Sequence, residues 1–518
     1  MVGGLNDASR NKDEVNGIEA NGFSYGDLGK TTNIQMDATR YAQGWKVGLS
    51  GANRNYKGRV YATYASGVLQ NGWAFVGSLA YRYSPYINIK GVIGEGTDYN
   101  SLGYFFSAQK NFNDKHSLSI ITFGAPTERG QSSAITQETR NLTGSANYNP
   151  YWGYQNGQMR NSRIVKTFDP TGIVSYEWKI SEEQVFKAAL GYHYNFYSNS
   201  ALTFYNAPDP RPDYYRNMPS FYWDGQLDSY GNFVTKDGNG RDLGKANNFY
   251  DPYADYVTTV NGKDYNGRWI GPSVDQSSYM ALVDAWTSRD NNTTQINWDN
   301  LYAANYAYDV NEANNPYRSS KYMLERRHND LQEGLLNVNY QTSEFKHLKI
   351  TAGLEGKVAQ GIHYKTVDDL LGGTQWFDVD PFAERDIKDL AVNIGMTQAE
   401  IEKVKQNNIF ATDDQRVVKK GDLFGYDYRI NIMKFKAWAQ NEWNFGDIDF
   451  YYALQLTYSS MQRNSSMVNG RAWYLATLDP TKADYYLGPN AKAILNGTVT
   501  SMNGYEFSFV DPSFKAGL

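Results

Sequence analysis

Apolar and polar residues alternate over stretches of about 9 to 13 positions along this chain, and the spacing of those stretches limits the fold more than any single motif. That length suits a tilted β-strand crossing a bilayer. Between 347 and 359, Leu348, Ile350, Ala352, Leu354, Gly356 and Val358 share one face, and Lys349, Thr351, Gly353, Glu355 and Lys357 the other. Similar alternation runs through 184–196, with Phe186, Leu190 and Phe196 on one side, and through 448–462, with Phe450, Leu454 and Tyr458. Twelve such segments are predicted, near 45–53, 57–68, 73–84, 99–110, 116–124, 171–180, 184–196, 333–342, 347–359, 430–443, 448–462 and 505–515. From the third onward their connections measure 14, 5, 46, 3, 136, 4, 70, 4 and 42 residues. The short ones (NFNDK, SEE, SEFK, NFGD) carry turn-forming side chains. A sandwich or propeller has no reason to put every long insertion on one side, and 136 residues is a long connection for a compact soluble domain. A transmembrane antiparallel β-barrel does this as a rule, with short periplasmic turns and long extracellular loops. By parity, 69–72 is a periplasmic turn and 54–56 a short outside loop.

Composition fits that all-β reading. Mean hydropathy is −0.63, but aromatic residues make up 15%, and such residues gather at membrane interfaces. A barrel reconciles the two, because only alternate strand residues meet lipid while lumen and loops stay polar. No run approaches the ~18 apolar residues of a spanning helix. The net charge of −5 and the lack of a basic run argue against nucleic acid as a partner. Cys is absent, which excludes disulfides and thiolate metal sites.

No constellation of catalytic residues is present, so the chain reads as a non-enzyme without a cofactor. His116, His193, His328, His347 and His363 are scattered. GDLGKTT ends like a phosphate-binding loop, but Ser24 stands where the motif needs Gly, which leaves a turn ahead of the first strand. In TQAEIEKVKQNN, Thr397 and Glu400 form a capping box ahead of Ile401 and Val404, predicting a helix packed on its own loop. The start, MVGGLNDASRNKDE, lacks a secretory leader, so an exported barrel implies an internal or trimmed beginning.

Several phrases, in order, resemble the TonB-dependent receptors of Bacteroidetes. They include GGLND, GANRNYKGRVYATYASG at 51–67, HSLSIITFGAPTERG at 116–130, NYNPYWGYQNGQMRN at 147–161, NAPDPRPDYYR at 206–216, ERRHND at 325–330 and DVDPFAERD at 378–386. The resemblance implies an outer-membrane importer with a 22-stranded barrel around an N-terminal plug. Residues 1–40 then correspond to the end of the plug and its connection, and 41–518 to a truncated first half of the barrel, about 12 strands of 22. It also implies outer-membrane lipids, TonB with its inner-membrane energising complex, a scarce nutrient (glycan, peptide, siderophore or similar) and a surface lipoprotein as partners. A passive porin-like channel and a secreted carbohydrate-binding protein are the alternatives.

For ligand binding the sequence offers aromatic clusters beside arginines: Tyr151, Trp152, Tyr154 and Arg160, then Tyr214, Tyr215, Arg216 and Trp223. Flat rings flanked by hydrogen-bonding groups suit sugars, peptides or planar cofactors. The competing reading is that long loops use such rings as their own small cores. Asp378, Asp380, Glu384 and Asp386 are a minor candidate for calcium, set against a solvated loop with salt bridges, because they lack the spacing of a known calcium loop.

Overall fold

The computed structural model describes residues 11–26, 28–53, 55–87, 94–222, 249–251, 257–260, 263–266, 268–270, 276–383 and 396–518. Its main element is one antiparallel sheet of fourteen segments. In chain order these are β1 (Gly44–Gly51), β2 (Gly58–Val68), β3 (Trp73–Ser84), β4 (Tyr99–Asn111), β5 (His116–Gly124), β6 (Thr127–Gly130) and β7 (Ile164–Phe168). There follow β8 (Thr171–Lys179), β9 (Gln184–Phe204), β10 (Tyr322–Phe345), β11 (Leu348–Asp369), β12 (Leu423–Asn444), β13 (Asp449–Ser465) and β14 (Met502–Gly517). β4 pairs with both β5 and β6, and β9 with both β7 and β8, so each of these pairs of segments is one interrupted strand. The sheet therefore has twelve lanes, at the twelve places the alternation predicts. Both interruptions fall at a proline, which has no N–H to give. The carbonyls of Pro126 and Pro170 still accept from Leu102 and Tyr194 at 3.2 and 3.1 Å, which keeps the ladder continuous. Among the described residues, β1 and β14 are paired on one side only, so the sheet is open.

The strands are longer than the alternation indicates. β9, β10, β11 and β12 have 21, 24, 22 and 22 residues, about twice the 9–11 that cross a bilayer. The apolar outer stripe stops where Gln332 donates to Gln360 (3.1 Å) and Gln360 to Asn431 (2.8 Å). Beyond that amide row the ladder continues with polar outer residues, such as the Arg326–Asp368 ion pair at 2.8 Å. Backbone pairing persists where the hydrophobic signal has ended, so the predicted 136-residue connection is shorter and runs from Phe204 to Tyr322.

The short turns are built from the residues named for them. Asn113 Oδ1 accepts from the amides of Lys115 and His116, both at 2.9 Å. Gly446 adopts φ +88°, which a side chain would strain. Single-cysteine probes at Asn113, Ser343 and Gly446 in the full-length protein are expected to resist a membrane-impermeant maleimide on intact cells. Probes at Asn156 and Lys482, at the other end of the sheet, are expected to react. Labelling of the three turns from outside would invert the orientation.

The long loops hold more helix than the sequence reading allowed, including Gln276–Ser288, Trp298–Asn311 and Gly470–Leu478. Trp298–Asn311 carries no continuous apolar stripe, since its buried residues are Trp298, Leu301 and the polar Asn305. Asn305 is fully buried, donates to the carbonyls of Tyr322, Leu370 and Leu371 at 2.8–3.0 Å, and accepts from the Tyr322 amide. An amide that satisfies backbone from two neighbouring segments is a good core residue, yet it breaks an apolar pattern.

The capping-box helix is present as Gln398–Val404, with Thr397 and Glu400 capping each other. It packs on its own loop, in one cluster with Ala383 and Met396, and the next loop joins that cluster. Trp473 and Tyr474 of the next loop pack against the same cluster as Ile401, around Val404. Gly470 permits that approach, since a Cβ there would stand 2.3 Å from the Lys403 carbonyl oxygen.

Candidate functional site

The two faces of the sheet differ in chemistry. Leu354, Leu454 and Phe514 stand outward and exposed. Charged inward residues pair across strands instead: Lys349 with Glu442 at 3.1 Å, Lys436 with Glu355 at 2.9 Å, and Lys357 with Glu333. Such pairs fit a wet interior and not a hydrocarbon solvent.

Residues 11–26 and 28–43 lie on this inner face. Strands 12–16 and 30–34 form a hairpin. Near β4 and β5, Thr39 binds Gln109 Oε1 through its amide and hydroxyl, and Ser119 donates to Asp37 at 2.9 Å. Met36 and Ala38 pack into the apolar cluster of Ala65, Ala74, Val76, Phe105 and Ile121. At the other side, Gln440 donates to the Asn21 carbonyl (3.1 Å), Tyr451 to Ile18 (2.9 Å) and Lys515 to Glu19 (3.0 Å). The segment thus reaches from β2 to β14. The register places Gln341, Thr351, Gln440, Ala453 and Lys515 in one inward row beneath it. Asn21 shapes the segment by accepting from the amides of Phe23 and Ser24. Between hairpin and wall is a cavity of about 1960 Å³, bordered by residues of both, including Gln35, Gln109, Lys187 and Asn337. These clamps are not legible from the residues alone, because an inward Gln or Lys on a lumen wall looks the same whether or not backbone rests on it.

The aromatic candidates separate by burial. Trp152 is 1% exposed and offers no ring face to a ligand. Its carbonyl accepts from the Ile296 amide at 2.9 Å, and it forms an edge contact with Tyr154 at 5.5 Å. Tyr148, equally buried, packs edge-on against Trp286 and donates to the Thr294 carbonyl at 2.6 Å. Burial pushes its phenol pKa well above the usual value. Arg160 lies over Trp298 at 4.4 Å and binds Asp369 at 2.6 Å, Gln155 at 2.7 Å and Tyr302 at 3.1 Å, tying three segments together. These residues build a loop core. Tyr151 is half-buried under Arg163. Tyr214, Tyr215, Phe221 and Tyr222 form a run of edge contacts with centroids 4.7–5.9 Å apart. Tyr215 is half exposed there, with Arg216 donating to its hydroxyl at 3.0 Å. Trp223 lies outside the described residues.

Asp378 and Asp380 have protein donors. Asp378 accepts from Asn407 at 2.7 Å and from the Gly425 amide at 3.1 Å, and burial pushes its carboxyl pKa up against these donors. Asp380 pairs with Arg471 at 2.9 Å, bolting its loop to the next. Glu384 and Asp386 lie outside the described residues. Among the described residues no group of three His, Asp or Glu side chains is placed to hold a metal.

No protein-family model matches the chain, and no curated protein matches it in sequence. Solved structures similar to it include the open form of the ferric-catecholate import receptor Fiu from E. coli K12, with TM-score 0.47 and 9% identity over 98% of this chain and 56% of that one. The unliganded ferric citrate transporter FecA follows with TM-score 0.45 and 6% identity, over 96% and 46% of the two chains. The ferric yersiniabactin uptake receptor FyuA from Yersinia pestis has TM-score 0.44 and 7% identity, over 98% and 48%. The chain spans about half the length of these structures.

Proposed function

We propose that this chain is the end of the plug (1–40) and the first half of the barrel (41–518) of a TonB-dependent outer-membrane receptor of Bacteroidetes type, which imports a scarce nutrient. The observation that carries the reading is the seating of Glu19, Asn21, Asp37 and Thr39 on the inner wall by hydrogen bonds to strands at both sides of the sheet. A simple pore needs no chain across its lumen, whereas an energised importer needs one that can be displaced. The apolar outer band would meet outer-membrane lipid. The loops, with Tyr151, Tyr154, Tyr214, Tyr215 and Arg216 as candidate contacts, would capture the ligand, beneath a surface lipoprotein where one is present. TonB and its inner-membrane complex would supply the force, and no bond is made or broken in that cycle.

Uptake by cells carrying the full-length protein is expected to stop when TonB is deleted or the proton-motive force is collapsed. Uptake that continues under both conditions would replace this reading with a passive porin-like channel.

A further inference from the structure

High on the inner wall, past the amide row that ends the apolar band, four neighbouring strands bring rings and cations together. The register sets Arg327 of β10 beside Lys365 of β11, and His363 of β11 beside Tyr428 of β12. The His363 ring stacks on Tyr428 with centroids 4.8 Å apart and planes 19° apart. Gly361 makes room for it, since a Cβ there would meet the imidazole at 2.9 Å. Arg463 of β13 sits over the same Tyr428 ring at 4.2 Å. Tyr426 continues the aromatic strip 5.7 Å from Tyr428, with Lys365 over it at 5.3 Å.

The charge balance here differs from the wall below. Lys349, Lys357 and Lys436 each face a carboxylate, as described above. In this patch Arg327 and Lys365 both bind the buried Glu325, at 2.5 and 3.0 Å. Arg463 is exposed and has no carboxylate partner among the described residues. Arg463 is therefore a cation without an ion-pair partner among the described residues, standing at the edge of a half-buried strip of rings. Twelve residues separate Thr351, in the row beneath residues 18–26, from His363. At ~3.3 Å per residue that places the patch about 40 Å farther along the strand, toward the loops.

We propose that Arg327, His363, Lys365, Tyr426, Tyr428 and Arg463 form a ligand-binding platform for a molecule that joins a carboxylate to a flat ring face. The ligand's ring would pack against the solvent-facing side of this strip, and Arg463 would meet its carboxylate with the planar, two-donor geometry that guanidinium offers. Acidic sugars and aromatic acids both present this chemistry. The proposal rests on reading the sheet as a lumen wall, but binding at the platform needs no TonB.

The test is titration calorimetry on purified full-length protein in detergent, with three probes: an oligogalacturonate, benzoate and a neutral galacto-oligosaccharide of matched length. Saturable binding of one acidic probe and not of the neutral one is expected, and the acidic probe that binds identifies the source. Arg463→Gln is expected to weaken that binding at least tenfold and to flatten its salt dependence, and Tyr428→Leu to weaken it several-fold. Arg429→Gln, on the outward side of β12, is the control and should leave affinity unchanged. Absence of saturable binding by both acidic probes, or equal affinity in Arg463→Gln and wild type with folding verified by heat-modifiable gel mobility, overturns the platform. Either result leaves the TonB-dependence experiment to be judged separately, since that one reads uptake in cells.

Discussion

Leu354→Arg and Leu454→Arg in the full-length protein are each expected to cost about 2 to 4 kcal/mol of barrel stability, the range for a cation on the lipid face near the bilayer midplane. Leu354 pairs with Ala437 and Leu454 with Ala439, in the middle of the outer stripe, and both side chains are more than half exposed. Lys349→Ala and Gln455→Ala, on the inner face of the same two strands, are expected to assemble normally. Losing the partly exposed Lys349–Glu442 pair removes about 1 kcal/mol at most. Heat-modifiable mobility on gels reads the outcome. Equal damage from both faces would mean that the outer stripe does not meet lipid, and the barrel reading would go with it.

The second large effect is expected at Trp152→Ala. This side chain is fully buried, and Gly96 and Gly153 are shaped around its neighbourhood. A Cβ at Gly96 would fall inside the indole ring, and one at Gly153 would stand 1.9 Å from the Ile296 carbonyl oxygen. Truncating a buried Trp costs about 3 to 5 kcal/mol through lost burial and the cavity left behind. That cost falls on the loop assembly and not on the strands. Faster protease cleavage within 125–163 and 276–321 is therefore expected while heat-modifiable mobility stays normal. Tyr215→Ala is expected to change cleavage far less than Trp152→Ala, because its ring is half exposed and its contacts with Tyr214 and Phe221 lie at the surface. Reduced nutrient binding in Tyr215→Ala with intact loops would favour a recognition role for that ring. Unchanged cleavage in Trp152→Ala would contradict the placement of its indole in the core.

The sequence by itself determined the number and places of the strands, the tightness of the turns and the division into an apolar and a charged face. All of these follow from period-two alternation and from Asn, Gly or Asp at the turns, signals carried by residues close in the chain. It also determined the Thr397 and Glu400 capping box, a device that closes within one helical turn. What the tertiary structure alone decided depends on groups far apart in sequence. The strands continue past Gln332 and Gln360 because backbone pairing with a neighbour needs no hydrophobic stripe. The helix at Trp298–Asn311 buries Asn305 because three distant carbonyls await its amide. Trp152 became core and Tyr215 surface, although both are aromatic residues in arginine-flanked loops, because only Trp152 has the Ile296 segment and Gly96 folded against it. Asn21 meets Gln440 across 419 positions, and Tyr428 gathers His363 and Arg463 from two other strands. Alternation tells which face a side chain takes, but strand register and loop packing decide what stands opposite it.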